Sequence, residues 1–262
     1  MTGQGIILRL LGSGALGSPG RRFLRGRPWT IESGSGAGLK LEFPQNRDFI
    51  RGSSERPVQE ALARHLRPDD VFYDIGANTG FFSLIAARFV GTAGSVYSFE
   101  PVAENAATVR RNSHLNHIPN LKVFEVAVGR HSGNAELLLT EWDGGSTLST
   151  SAVKTLEPVS KRTVRVVSLD DFIRAENLRQ PNFVKIDVEG VEMEVLQGMS
   201  KTITERKPVL LYEVDDGNKE SFDRRWKELD DYVAAFEYRV THLEASYGNS
   251  GWYVGHSLAQ PQ

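Results

Sequence analysis

Short apolar runs alternate along the chain with longer stretches in which apolar residues return every three or four positions. The runs predict strands at about residues 71–75, 95–99, 122–128, 183–187 and 208–214. The periodic stretches predict helices at about 80–90, 102–117, 190–199 and 218–236. Upstream, "LKLEFPQNRDFI" over 39–50 reads as an extended piece, and Val58, Leu62 and Leu66 fall on one face of a further helix. Strand and helix in alternation indicate a parallel sheet covered on both faces, hence an α/β fold. Between the third and fourth strands, "AELLLT" and "RTVRVVSL" flank the glycine- and serine-rich "DGGSTLSTS", the pattern of a β-hairpin insertion with a long loop. The loop from Trp142 to about Thr155 is long enough to suggest a lid over a bound acceptor. "FEYRVTHLEA" and "GWYVGHS" predict a terminal antiparallel pair.

Composition adds limits to this frame. A net charge of −2 over 262 residues provides no general attraction for nucleic acid or for membranes. The absence of cysteine removes disulfides, thiolate nucleophiles and zinc–thiolate sites, and agrees with a cytoplasmic location. Residues 1–38 read as a basic, glycine-rich, flexible arm, with five arginines and no acid before Glu32. Its apolar piece, Ile6 to Leu11, is broken by Arg9 and too short to span a membrane. Residues 39–262 then form one domain.

The chemistry concentrates at the ends of the strands, where open parallel sheets bind ligands. In "DVFYDIGANTGFFSLIAARF", Asp70 to Phe89, an apolar strand runs into Asp74, Gly76, Asn78 and Gly80 before a helix. Such a turn presents backbone N–H groups to a ligand. Glu100 follows Gly80 by twenty residues at the end of the next strand, the place for a carboxylate that accepts ribose hydroxyls. The glycine that would let backbone approach a pyrophosphate is missing, which argues against NAD and FAD. A nucleoside carrying positive charge fits better, because Asp74 would attract an ammonium or sulfonium and repel phosphate. S-adenosylmethionine has both features.

"DVFYDIGANTGFFSLIA", "VYSFEPVAENAATVRRNSHLN", "VFEVAVG" and "VKIDVEGVEMEVLQGM" resemble, in order and over about residues 55–215, the FkbM-type family of S-adenosylmethionine-dependent methyltransferases. The resemblance implies a Rossmann-like class I methyltransferase fold: a mostly parallel seven-stranded sheet with an antiparallel C-terminal strand and the hairpin insertion. It also implies O-methylation of a hydroxyl on a sugar, glycolipid or natural product of secondary metabolism. Carried over by position, Asp74, Gly76, Asn78 and Gly80 form the methionine-side loop, Glu100 holds the ribose, and Ala127 and Val128 flank the adenine.

Catalytic candidates are Asp187 and Glu189 in "KIDVEG". A charge ending an apolar central strand is costly unless paired or used, so Asp187 belongs to an ion pair or to the reaction. Glu189 serves either the site or the positive end of a helix beginning near Gly190. Glu213 ends the next strand, and Asp187 with Glu213 could share Mg²⁺ if those strands are neighbours. Asn105 and Asn112 read as solvated, and His114 and His117 as helix-end residues without a catalytic part. His242 and His256 are further candidate bases, and Trp142, Trp252 and Tyr253 could stack on an acceptor. Two rival functions stay open. Nitrogen methylation of a macromolecule is disfavoured because Asp187-Val188-Glu189-Gly190 stands where base-flipping enzymes place Asp/Asn-Pro-Pro-aromatic. Binding of S-adenosylmethionine without turnover is compatible with every motif.

Overall fold

The computed structural model describes residues 26–42, 46–139, 147–148, 160–247 and 251–262. The lid segment, Trp142 included, lies outside the described residues except for the backbone at 147–148. In chain order the elements are β1 (Pro28–Thr30), β2 (Lys40–Glu42), α1 (Arg47–Arg51), α2 (Arg56–His65), β3 (Val71–Ile75), α3 (Phe81–Val90), β4 (Ser95–Phe99) and α4 (Ala103–Leu115). Then come β5 (Leu121–Phe124), β6 (Ala127–Val128), β7 (Gly133–Leu139), β8 (Thr147–Leu148), β9 (Ser160–Val167), α5 (Leu169–Ala175) and β10 (Phe183–Ile186). The chain ends with α6 (Glu192–Gly198), α7 (Ser200–Arg206), β11 (Val209–Asp216), α8 (Lys219–Ala234), β12 (Tyr238–His242) and β13 (Tyr253–Pro261).

The main sheet has seven strands in the order β12-β13-β11-β10-β3-β4-β5. The five from β11 to β5 are parallel, while β13 runs antiparallel to both β11 and β12. This is the expected mostly parallel seven-stranded sheet with its reversed C-terminal strand. β3 is an interior strand, between β10 and β4, and is buried along its whole length, as a strand covered on both faces must be. Its alternate residues enter two apolar layers. Tyr73 and Ile75 pack with Phe99, Val195 and Leu196, whereas Phe72 packs with Leu62, Leu84 and Leu211 on the other face. The chain leaves β3 toward β4 and β5, and returns on the other side as β10 and β11. That reversal opens a crevice beyond the ends of β3 and β10.

Several elements differ from the sequence expectation. The third strand, expected over 122–128, breaks after Phe124, and Ala127–Val128 join a second sheet of order β6-β9-β7-β8. The expected hairpin is the β7–β9 pair of that sheet. Of the extended piece at 39–50, Lys40–Glu42 is strand, whereas Asn46 accepts the Asp48 N–H at 2.8 Å and starts α1. α5 and α7 were not expected. Seven residues give too short a periodic signal, although Leu169, Phe172 and Ile173 carry it in α5. Within the expected arm, residues 28–30 pair with 40–42, and Trp29 and Ile31 are buried. Among the described residues no helix is long and apolar enough to cross a membrane.

The glycine turn after β3 has a steric origin. Gly76 has φ of 82°, and a Cβ there would sit 1.8 Å from the Asp187 carbonyl oxygen. Gly76→Ala should therefore cost about 1–3 kcal/mol and lower the thermal midpoint by roughly 3–10 °C. Calorimetry of the variant checks this. An unchanged midpoint would mean that the two loops do not meet so closely.

Candidate functional site

The crevice has a volume of about 870 Å³ and is lined by the turn Gly76–Thr79, by Glu100 to Val102, by Val126–Val128, and by Asp187 to Glu189. Its first half is built around Glu100. The Asn78 N–H donates to one carboxylate oxygen at 2.8 Å and the Val102 N–H to the other at 2.9 Å. Asn78 reaches this position with φ of 49°. The carboxylate is thus fixed in a single orientation with lone pairs left for a diol. Burial pushes the Glu100 carboxyl up to about 7, against the N–H groups of Val102 and Asn78 and the Asn105 side chain, which favour the charged form. Asn105 therefore belongs to the site, and Asn112 is also not solvated: it is buried, accepting the Glu42 N–H and donating to the Thr79 carbonyl. Apolar Phe99, Val126, Ala127, Val128 and Leu137 complete this end.

Asp74 takes a different place from the one expected. It is 1% exposed and lies behind the crevice wall, where one oxygen accepts the Ser83 hydroxyl at 2.5 Å, and Ser83 also meets Ser98 at 2.8 Å. The cause is strand alternation: Ile75 faces the crevice, so Asp74 turns toward α3. Burial raises its carboxyl above the usual range, opposed by Lys185, its register partner on β10. Gly80 is likewise not at the wall; with φ of 87° it turns the chain into α3.

The second half is a cluster of charges at the ends of β10, β11 and β13. Lys185, 1% exposed, donates to Asp187 at 2.8 Å. Its own burial works against the ammonium, but Asp187, Asp74 and Glu55 outweigh it and hold Lys185 above its ordinary range. Asp187 is an ion-pair partner and a crevice residue at once, with its N–H fixed by the Ile75 carbonyl at 3.0 Å. Of the two alternatives for this residue, the ion pair is present, and it leaves Asp187 at the crevice wall. Glu189 has φ of 55°, and α6 begins only at Glu192, so Glu189 does not sit at a helix N-terminus. Glu192 stands there, accepting the Gly190 N–H at 2.8 Å and the Arg225 guanidinium at 2.9 Å. Burial and the nearby Asp215, Asp187 and Glu213 hold the Glu189 carboxyl well above its ordinary value. Its hydrogen bond to Asp215 acts in the same direction.

Glu213 faces His256, its register partner on β13, at 2.7 Å, and Glu55 approaches the same imidazole nitrogen at 3.3 Å. Burial pushes Glu213 up to about 8, and Asp187 adds to this while His256 opposes it. The expected cation pair, Asp187 with Glu213, is therefore not the grouping found: Lys185 occupies Asp187, and Glu213 turns to His256 and Glu55. Glu55, Phe49, Arg51 and Tyr247 also line the crevice and were not foreseen. Glu55 directly precedes Arg56-Pro57 at the helix start, where the proline in the first turn is the recognisable signal. Tyr247 follows an irregular segment that carries no such signal, and its hydroxyl donates to Glu55 at 2.8 Å. His242 instead stacks on Trp226 and pairs with Asp230. Trp252 donates to Asp215 and Tyr253 packs on Phe222, so neither is a crevice-wall residue.

A family model described as Methyltransferase FkbM domain matches residues 74–240. The chain is 33% identical over 151 residues to Methyltransferase 1 of Beauveria bassiana, covering 50% of this chain and 59% of that protein. It is 27% identical over 154 residues to hexuronic acid methyltransferase AglP of Haloferax volcanii, covering 59% of each. With 2-O-methyltransferase NoeI of Sinorhizobium fredii it shares 28% identity over 193 residues, 65% of this chain and 76% of that one. The chain thus spans about six tenths of the length of the first two relatives. The crystal structure of methyltransferase FkbM from Methylobacillus flagellatus superposes with a TM-score of 0.50 at 19% identity, over 77% of this chain and 50% of that one, a likeness of fold.

Proposed function

The chain belongs to the FkbM family of methyltransferases, and on that premise we propose that it transfers the methyl group of S-adenosylmethionine to a hydroxyl of a sugar, glycolipid or natural product. The observation that carries this reading is that one crevice holds both an oriented carboxylate at Glu100 and a second carboxylate at Asp187, fixed at its other end. Glu100 receives the ribose hydroxyls, and Phe99 with Val126–Val128 encloses the adenine. Asp187 lies on the acceptor side. The names of the relatives AglP and NoeI, a hexuronic acid methyltransferase and a 2-O-methyltransferase, favour an oxygen acceptor.

Transfer is a displacement at a carbon already activated by sulfonium, so the protein aligns oxygen, methyl and sulfur and accepts a proton. The carbon–sulfur bond breaks with its electron pair left on sulfur, the oxygen–carbon bond forms, and the hydroxyl proton passes to Asp187. Lys185 donates to Asp187 and aims it. Incubation with S-adenosylmethionine and a panel of sugars, glycolipids and hydroxylated natural products should release S-adenosylhomocysteine with at least one of them. Release only with amines or RNA would replace the hydroxyl reading by nitrogen methylation. Binding of S-adenosylmethionine with no release across the panel would leave a binding protein.

A further inference from the structure

Beside the acceptor end of the crevice, three side chains from distant parts of the sequence bring metal-binding atoms together. Glu55 precedes α2, Glu213 lies on β11 and His256 on β13, and one ligand atom from each falls within 4.8 Å of the others. The imidazole Nε2 stands 2.7 Å from the Glu213 oxygen and 3.3 Å from the Glu55 oxygen. Ligand atoms about 2.0–2.2 Å from one ion lie roughly 2.8–3.6 Å from each other, so these separations are near the edges of a coordination polyhedron. The histidine is 2% exposed and Glu55 9%. Among the described residues, Glu55 Oε2 and His256 Nε2 are both buried without an aligned hydrogen-bond partner. Tyr247 occupies only the other Glu55 oxygen, and so orients the carboxylate with Oε2 turned to the histidine.

We propose that Glu55, Glu213 and His256 bind one divalent first-row transition ion, with Mn²⁺, Fe²⁺ or Zn²⁺ preferred over Mg²⁺. The imidazole decides the class: Mg²⁺ favours oxygen and retained water, whereas Mn²⁺, Fe²⁺ and Zn²⁺ accept mixed nitrogen and oxygen ligands. Glu55 and Glu213 line the crevice, so the remaining coordination positions open toward whatever occupies it. An ion there acidifies a hydroxyl placed on it. Asp187 is excluded from the ligand set because Lys185 holds it. The site rests on side-chain geometry alone and does not depend on the acceptor being a hydroxyl.

The test uses the full chain, stripped with chelator and titrated with Mn²⁺ under electron paramagnetic resonance. One ion per chain should bind, and Zn²⁺ should displace it far more readily than Mg²⁺. Glu55→Gln and His256→Gln should each weaken Mn²⁺ binding by about tenfold or more, with the exposed Glu205→Gln on α7 within about threefold of wild type. Circular dichroism identifies a variant that does not fold, in which case Glu213→Gln takes its place. No saturable binding at millimolar Mn²⁺, or wild-type binding in folded Glu55→Gln and His256→Gln, overturns the proposal and leaves an imidazolium held between two carboxylates. Loss of binding in Asp187→Asn alone overturns it too, by moving the ion to the Asp187 side. The readout is metal binding, so failure of the methyl-transfer reading would not alter it.

Discussion

Asp187→Asn should lower methyl transfer roughly 10²–10⁴-fold, the range for a lost general base, and leave affinity for S-adenosylmethionine within about threefold of wild type. The asymmetry follows from position. Glu100 and the glycine turn build the nucleoside end, while Asp187 stands beyond it with part of its side chain open to the crevice. Asparagine keeps the shape but cannot take a proton. The substitution also deprives the buried Lys185 of its 2.8 Å partner, although Asp74 remains beside it on β3. Some loss of stability is therefore expected along with the loss of rate. Single-turnover kinetics separates the two, because an unstable but competent enzyme transfers at the normal rate below its melting range. A folded variant with wild-type turnover would restrict Asp187 to its ion pair.

The second large effect belongs to Glu100. Removing its carboxylate in Glu100→Ala should weaken S-adenosylmethionine and S-adenosylhomocysteine by about 2–4 kcal/mol, on the order of 30- to 1000-fold, through the loss of two hydrogen bonds to a charged acceptor. Its titration gives this a pH signature. Burial raises the carboxyl from 4.5 to about 7, so the free folded protein binds more protons there than the unfolded chain between those values. Stability from this group is present below about pH 4.5 and is lost as pH rises through 7. Cofactor binding has the opposite slope, because only the ionised carboxylate accepts from both ribose hydroxyls. Affinity should thus rise between about pH 6 and 8 and level off above, and Glu100→Gln should flatten the rise. Calorimetric titration across that range decides. A pH-independent affinity in the wild type would remove Glu100 from the ribose.

The strand ends were legible in the sequence because local chemistry marks them. Asp-Ile-Gly-Ala-Asn-Thr-Gly combines a turn with a helix start, and Glu100 sits where parallel topology must bring a carboxylate next to it. What the sequence left out depends on contacts between distant segments. Asp74 was expected at the ligand because it adjoins the turn, yet the alternation of β3 points it at Ser83. The grouping of Glu55, Glu213 and His256 needs the β11–β13 register together with the position of α2, and no local pattern encodes either. Asn112 was assigned to solvent on polarity, whereas β2 packs on α4 and supplies its backbone partner. Helices of seven residues, α5 and α7, complete barely two turns and leave little periodicity to read.

The most direct measurement follows the methyl group itself. S-adenosylmethionine carrying a ¹³C-methyl is incubated with the protein and an accepted acceptor, and the product is examined by carbon NMR. One new resonance is expected in the methyl ether region, formed in step with S-adenosylhomocysteine and suppressed in Asp187→Asn. A resonance from an N-methyl group, or S-adenosylmethionine that binds and keeps its methyl with every acceptor offered, would contradict transfer to a hydroxyl.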